Sequence, residues 1–110
     1  MGGGGYIPLK DSVPFAYLFD DGEKELRFEF TLSSKTDVHF NLIAPVHELF
    51  LVVYNAAKVE EDTKGDTSTD EYITLLKDEI NSDKKVIVVV QKRQEFMKKY
   101  VHFTLLVSTK

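Results

Sequence analysis

The 110-residue chain contains neither cysteine nor tryptophan. Without thiols it forms no disulfide and no thiolate metal or redox site, which leaves its compartment open because many secreted domains of this size also lack them. After residue 5 the only glycines are Gly22 and Gly65, so there is no Gly-rich loop to cradle a phosphate. No apolar run approaches the roughly 18–20 residues that cross a bilayer as a helix. Residues 1–5, Met-Gly-Gly-Gly-Gly, have neither the basic start nor the apolar stretch of a signal peptide and read as a cloning scar or flexible linker, which implies one domain over residues 6–110 cut from something longer. Positive charge is also in short supply. A net charge of −4 argues against general nucleic-acid binding, which depends on neutralising phosphates with Lys and Arg.

What is present is apolar material arranged in alternation. Hydrophobic residues make up 43% of the chain and include eight Phe and five Tyr, enough for one core that buries roughly two-thirds of the unfolded surface. In Leu26-Arg-Phe-Glu-Phe-Thr-Leu32 every second residue is apolar, the period of a strand with one buried and one wet face. This strand is expected at the centre of the core. Phe15–Phe19 has the same pattern and is predicted to be its hairpin partner across the turn Asp20-Asp21-Gly22-Glu23.

Tyr6–Leu9 reads as a weakly paired edge strand, since Pro8 and Pro14 are tolerated best at edges and turns. Val38, Phe40 and Leu42 alternate with His39 and Asn41 in a strand ending near Pro45, and Glu48–Tyr54 is a further strand, so that this part of the chain reads as a β-meander. Lys58–Asp70 is acidic and aperiodic and reads as a long surface loop. Glu71–Ile80 fits two descriptions: a short helix capped at Ser68, with Tyr72, Ile73, Leu76 and Ile80 on one face, or a strand in which Tyr72, Thr74 and Leu76 alternate. Val86-Ile-Val-Val-Val90 is an interior strand. Gln91–Lys99 is a loop or single helical turn with Phe96 and Met97 tucked inward, and Val101–Val107 is the strand that closes the sheet. The sum is an all-β chain, an antiparallel jelly-roll-like β-sandwich of seven to eight strands with at most one short helix near 70–80.

Chemistry is harder to find. His39 and His102 fall on the polar faces of their strands and His47 in a turn, with no H-x-x-x-H spacing for zinc, and no serine has the G-x-S-x-G context that exposes a nucleophile. No catalytic residue and no cofactor are therefore assigned. Acidic residues crowd two turns: Asp20, Asp21 and Glu23 in one, and Glu60, Glu61, Asp62, Asp66, Asp70 and Glu71 in the long loop. Loops at the end of a sandwich can gather the six to eight oxygens that calcium takes, which makes Asp20, Asp21 and Glu23 calcium candidates. Neither cluster has the D-x-D-x-D-G spacing, and carboxylates also populate turns simply because they cap and solvate them. The basic cluster Lys92, Arg93, Lys98 and Lys99 around Phe96 and Met97 reads either as a solvated loop over the end of the core or as a contact for a membrane surface or an acidic partner.

The order of elements resembles the bacterial pre-peptidase C-terminal (PPC) domain, a small sandwich related to the collagen-binding domains of clostridial collagenases. The matching stretches are Glu25–Leu32, Thr36–Leu42, Glu48–Tyr54, and the pair Val86–Val90 and Val101–Val107. Asp83-Lys84-Lys85 stands where that family has a glycine, and Glu48 where it has an aspartate. The resemblance implies a noncatalytic accessory module of a larger protein, contacting protein or polysaccharide, and an extracellular or secretory location. Two other readings accompany it: a calcium- or lipid-dependent C2-like membrane-targeting domain, and an assembly domain that pairs through an edge strand such as Tyr6–Leu9.

Overall fold

The alternating segments form two layers of strands. The computed structural model describes residues 6–44, 49–55, 60–62 and 70–109. In chain order the strands are β1 (Ile7–Pro8), β2 (Phe15–Phe19), β3 (Glu25–Thr31), β4 (Val38–Ile43), β5 (Leu49–Asn55), β6 (Glu60–Asp62), β7 (Asp70–Leu75), β8 (Lys85–Lys92) and β9 (Val101–Ser108). One sheet has the order β1-β3-β8-β5-β6 and the other β2-β9-β4-β7. All pairings are antiparallel except the two-residue contact of β1 with β3. This is the β-sandwich that the alternation predicts.

The core lies between the layers. Phe28, Phe30, Val86, Val88, Val90, Leu51 and Val53 face inward from the first sheet, and Phe19, Phe40, Leu42, Ile73, Leu75, Phe103, Leu105 and Val107 from the second, all buried. The rings interlock: Phe15 meets Phe28 edge-on at 5.1 Å between centroids, and Phe19 lies 5.3 Å from Phe103. Such contacts add to the apolar area that each ring removes from water.

Several expected pairings are corrected. β2 and β3 do not form a hairpin: β2 pairs with β9, and β3 with β8 and β1. The turn at Asp20–Lys24 carries the chain from one layer to the other, so Phe15 and Phe28 meet across the core. Period-2 alternation assigns a face to each residue but leaves the partner strand open, and packing between layers decides it. For the same reason there is no meander, because β4 sits between β9 and β7. β9 is an interior strand that does not close its sheet, and the middle of the five-stranded sheet is β8, with β3 beside it. The five β-branched residues of β8 are thus in an interior strand as expected, and Gln91 and Lys92 extend it beyond the anticipated end.

The acidic stretch expected as a continuous loop contains β6, paired with β5 through Val53 and Asp62; Asp66 and Ser68, like His47 and Glu48, lie outside the described residues. The open alternative at 71–80 resolves as strand. Ile73 and Leu75 point into the core while Tyr72 and Leu76 are exposed, the opposite of a shared helical face. β7 gives way to a single 3-10 turn at Lys77–Glu79, where the Leu76 N–H donates to Glu79 Oε1 (2.8 Å) and the Lys77 N–H to Asp37 Oδ1 (2.8 Å). A second 3-10 turn, Gln94–Phe96, packs Phe96 against the core, and Met97 is half-buried.

Candidate functional site

In the five-stranded sheet the outward residues of β3 are Glu25, Arg27, Glu29 and Thr31, and they form a charged lattice. Arg27 Nε donates to Glu25 Oε2 (2.6 Å), Gln91 Nε2 donates to Glu25 Oε1 (3.1 Å), and Lys85 lies 3.9 Å from Glu29 across the ladder. Burial alone would raise the Glu25 pKa, but the hydrogen bonds from Gln91 and Arg27 and the charges of Arg27 and Lys24 outweigh it, so the net displacement is downward. No site is predicted on Arg27, Glu29 or Thr31, and Arg27 and Glu29 are engaged by Glu25 and Lys85.

The four-stranded sheet presents a different outer face. Its outward positions are Ala16 and Leu18 on β2, His102, Thr104 and Leu106 on β9, His39, Asn41 and Ile43 on β4, and Tyr72 and Thr74 on β7. Among these side chains none carries a carboxylate, ammonium or guanidinium group, in a chain of which 29% is charged; the first residue of β7, Asp70, is set opposite Ile43 by the register, so the face is largely rather than wholly uncharged. Three of its large apolar side chains face solvent: Tyr72 is 60% exposed, Leu18 54% and Ile43 44%. Register puts Leu18 opposite His102, and Thr104 between Ala16 and Ile43, and an open groove of about 590 Å³ runs over these residues. On the neighbouring strands the His39 and Tyr72 rings stack at 6.0 Å and 15°, and His39 Nδ1 shares a hydrogen bond with Thr74 Oγ1 (3.1 Å). A flat aromatic ring held by a neighbour, beside hydroxyl, amide and imidazole groups, can contact a neutral surface by area and hydrogen bonds without paying to desolvate a charge.

This face was missed in the sequence, although its signal is there. The residues alternating with the core positions of β2 and β9 are Ala, Leu, His and Thr, where β3 has Arg and Glu.

The calcium candidates are partly engaged inside their own turn. Glu23 Oε2 accepts from the Tyr17 hydroxyl (2.7 Å) and Glu23 Oε1 from the Asp20 N–H (2.6 Å), while the Glu23 N–H returns to the Asp20 carbonyl (3.1 Å). Gly22 takes φ +86° at the apex, a conformation that a Cβ disfavours, and its N–H reaches the Met97 carbonyl (2.8 Å). Among the described residues no three His, Asp or Glu side chains converge as a metal site. His39 and His102 lie on the outer face of the four-stranded sheet, as their place on polar strand faces predicts.

Two of these groups give the domain a pH dependence. The bond to Glu23, then burial and the nearby negative charge, raises the Tyr17 pKa. A raised value means that Tyr17 contributes stability fully below the unfolded value of about 10 and loses it as pH rises through the folded value. Glu25, lowered, contributes above the unfolded value of about 4.3 and loses that contribution as pH falls through the folded value. Thermal melts across pH are expected to show both limbs, and Tyr17→Phe to flatten the alkaline one alone.

The basic cluster is divided. Arg93 lies over the Phe50 ring (4.7 Å) and Lys99 over Phe96 (5.9 Å), whereas Lys92 turns inward at the end of the sandwich.

Comparison with known proteins places the architecture. No protein-family model and no curated protein sequence matches the chain. Among solved structures the chain is similar to the pre-peptidase C-terminal domain of collagenase from Bacillus anthracis, with a TM-score of 0.75 over 94% of this chain and 95% of that one at 8% sequence identity. At that identity the likeness is one of fold: the chain is a β-sandwich with the architecture of a PPC domain.

Proposed function

We propose that this domain is a noncatalytic accessory module of a larger protein, one that holds its parent to a protein or polysaccharide surface through the outer face of the β2-β9-β4-β7 sheet. The observation that carries the reading is the gathering of Leu18, Ile43 and Tyr72 in solvent on one largely uncharged outer face. Exposed apolar groups gathered on one face mark a contact surface. The fold of a PPC domain agrees with an accessory role, and the same likeness supports the proposal of an extracellular or secretory location.

The similar structure is a domain of a collagenase, so fibrillar collagen is one suitable probe and insoluble chitin a second. The chain is expected to sediment with one of them at low millimolar salt and at 1 M salt alike, because the exposed apolar and neutral groups that make the contact are not screened. A chain recovered in the supernatant with both polymers would overturn the reading.

The proposed mode of action uses no metal. With both oxygens of Glu23 engaged by Tyr17 and the Asp20 N–H, millimolar calcium is expected to leave the melting temperature unchanged. A rise would favour the calcium-dependent C2-like alternative, since a ligand bound only by the folded state stabilises it by mass action.

A further inference from the structure

Where the turn after β2 meets the connection between β8 and β9, the backbone encloses an open pocket of about 720 Å³ lined by Lys24, Lys92, Gln94, Glu95, Met97 and Lys98. Three of the six side chains are cationic. Among the described residues Lys24, Lys92 and Lys98 form no ion pair, while Arg27 pairs with Glu25, Lys85 with Glu29, and Arg93 with Glu95. The single lining carboxylate, Glu95, is 67% exposed and drawn 3.7 Å from Arg93 Nη2. Asp20 and Asp21, in the adjacent turn, do not line the pocket.

Lys92 is a fixed member of the group. Its side chain is buried and its ammonium donates to the carbonyls of Asp20 (2.7 Å) and Met97 (3.1 Å). An ammonium has three donors, so one proton remains after those two bonds. Like charges held near one another repel, and in a chain of net charge −4 this pocket is a local exception to the prevailing sign.

We propose that the pocket binds a tetrahedral oxyanion, a sulfate or phosphate group, carried on a larger soluble molecule such as a sulfated sugar. Lysines supply point-charge contacts to such oxygens from several directions, and the Gln94 amide adds a neutral donor. The opening is far larger than an inorganic ion, which fits a group borne by a carrier. An anionic membrane is a poor source of the same chemistry, because the apolar Phe96 beside the pocket packs against the core instead of standing ready to insert.

The test is a backbone amide chemical-shift titration at low salt with a sulfated disaccharide, the same disaccharide without sulfate, inorganic sulfate, and phosphatidylserine vesicles. The sulfated sugar is expected to shift residues 24, 94 and 98 saturably and more tightly than inorganic sulfate, with the unsulfated sugar silent. The double variant Lys24→Gln/Lys98→Gln is expected to weaken binding about tenfold, and Lys24→Arg/Lys98→Arg to retain it. Lys92 is left in place because it holds the two turns together. Shifts that never saturate, that persist unchanged in the glutamine variant, or that come only with vesicles would overturn the proposal. Retention on collagen or chitin through the outer face of the β2-β9-β4-β7 sheet is expected to be the same in both double variants, so the two proposals fail separately.

Discussion

Replacing Phe28 with alanine is expected to cost about 3–5 kcal/mol, the range for a large aromatic removed from a packed core. Phe28 is fully buried in β3, pairs in register with Val88, and meets Phe15 of the opposite sheet edge-on. Its loss therefore opens space between the layers at a point where both sheets depend on it. Since a domain of this size has a total stability of roughly 5–15 kcal/mol, the variant should unfold at a much lower urea concentration with an unchanged slope. A loss below about 1 kcal/mol would contradict the placement of β2 and β3 in opposite layers, because in a common hairpin Phe28 would not bridge them.

The second large effect belongs to Lys92. Its ammonium ties the Asp20 carbonyl, at the end of β2, to the Met97 carbonyl, ahead of β9, while its backbone N–H donates to the Lys24 carbonyl (2.8 Å). It also lies 5.7 Å from the Phe19 ring centre. Lys92→Ala removes two charge-assisted hydrogen bonds and a packed aliphatic stem and is expected to cost about 3 kcal/mol. Lys92→Met keeps most of the stem and relieves the burial of the charge, so its cost should be nearer 1–2 kcal/mol. The ordering Ala worse than Met worse than wild type, read from denaturant midpoints, checks the arrangement. Equal stability of all three would mean that the ammonium clasps nothing.

How much of this was legible beforehand differs between face and partner. Phe15, Phe19, Phe28, Phe30, Phe40 and Phe103 stand at alternating positions, and that alternation determines which of them meet the core. It does not determine that β2 joins β9 or that β4 lies between β9 and β7, because those pairings are non-local and are chosen by how whole layers fit. At Glu71–Ile80 the two periods coincide for a few residues, and β7 won because Phe40 and Val38 of β4 offered an edge and a core to Ile73 and Leu75. The exposed Tyr72 is the residue that a helical reading would have hidden.

The site was less legible still. The acidic turn drew attention as a metal candidate, yet Glu23 spends its oxygens on Tyr17 and the Asp20 backbone, a use that depends on a turn geometry invisible in composition. The basic cluster was noticed as four neighbours in sequence, whereas the pocket joins Lys92 and Lys98 to Lys24, a residue far away in the chain. The apolar sheet face required knowing that β2, β9, β4 and β7 lie side by side, since its residues are drawn from four separate segments.

The central claim is that this face is the contact surface, and the most direct measurement compares wild type with the variant Leu18→Ser/Ile43→Ser/Tyr72→Ser on whichever of collagen or chitin retains the chain. All three side chains are already in solvent, so the variant should melt within a few degrees of wild type. Its dissociation constant is expected to rise by more than about tenfold, as three contact residues are removed at once. Retention equal to wild type, with the fold intact, would contradict the assignment of function to this face.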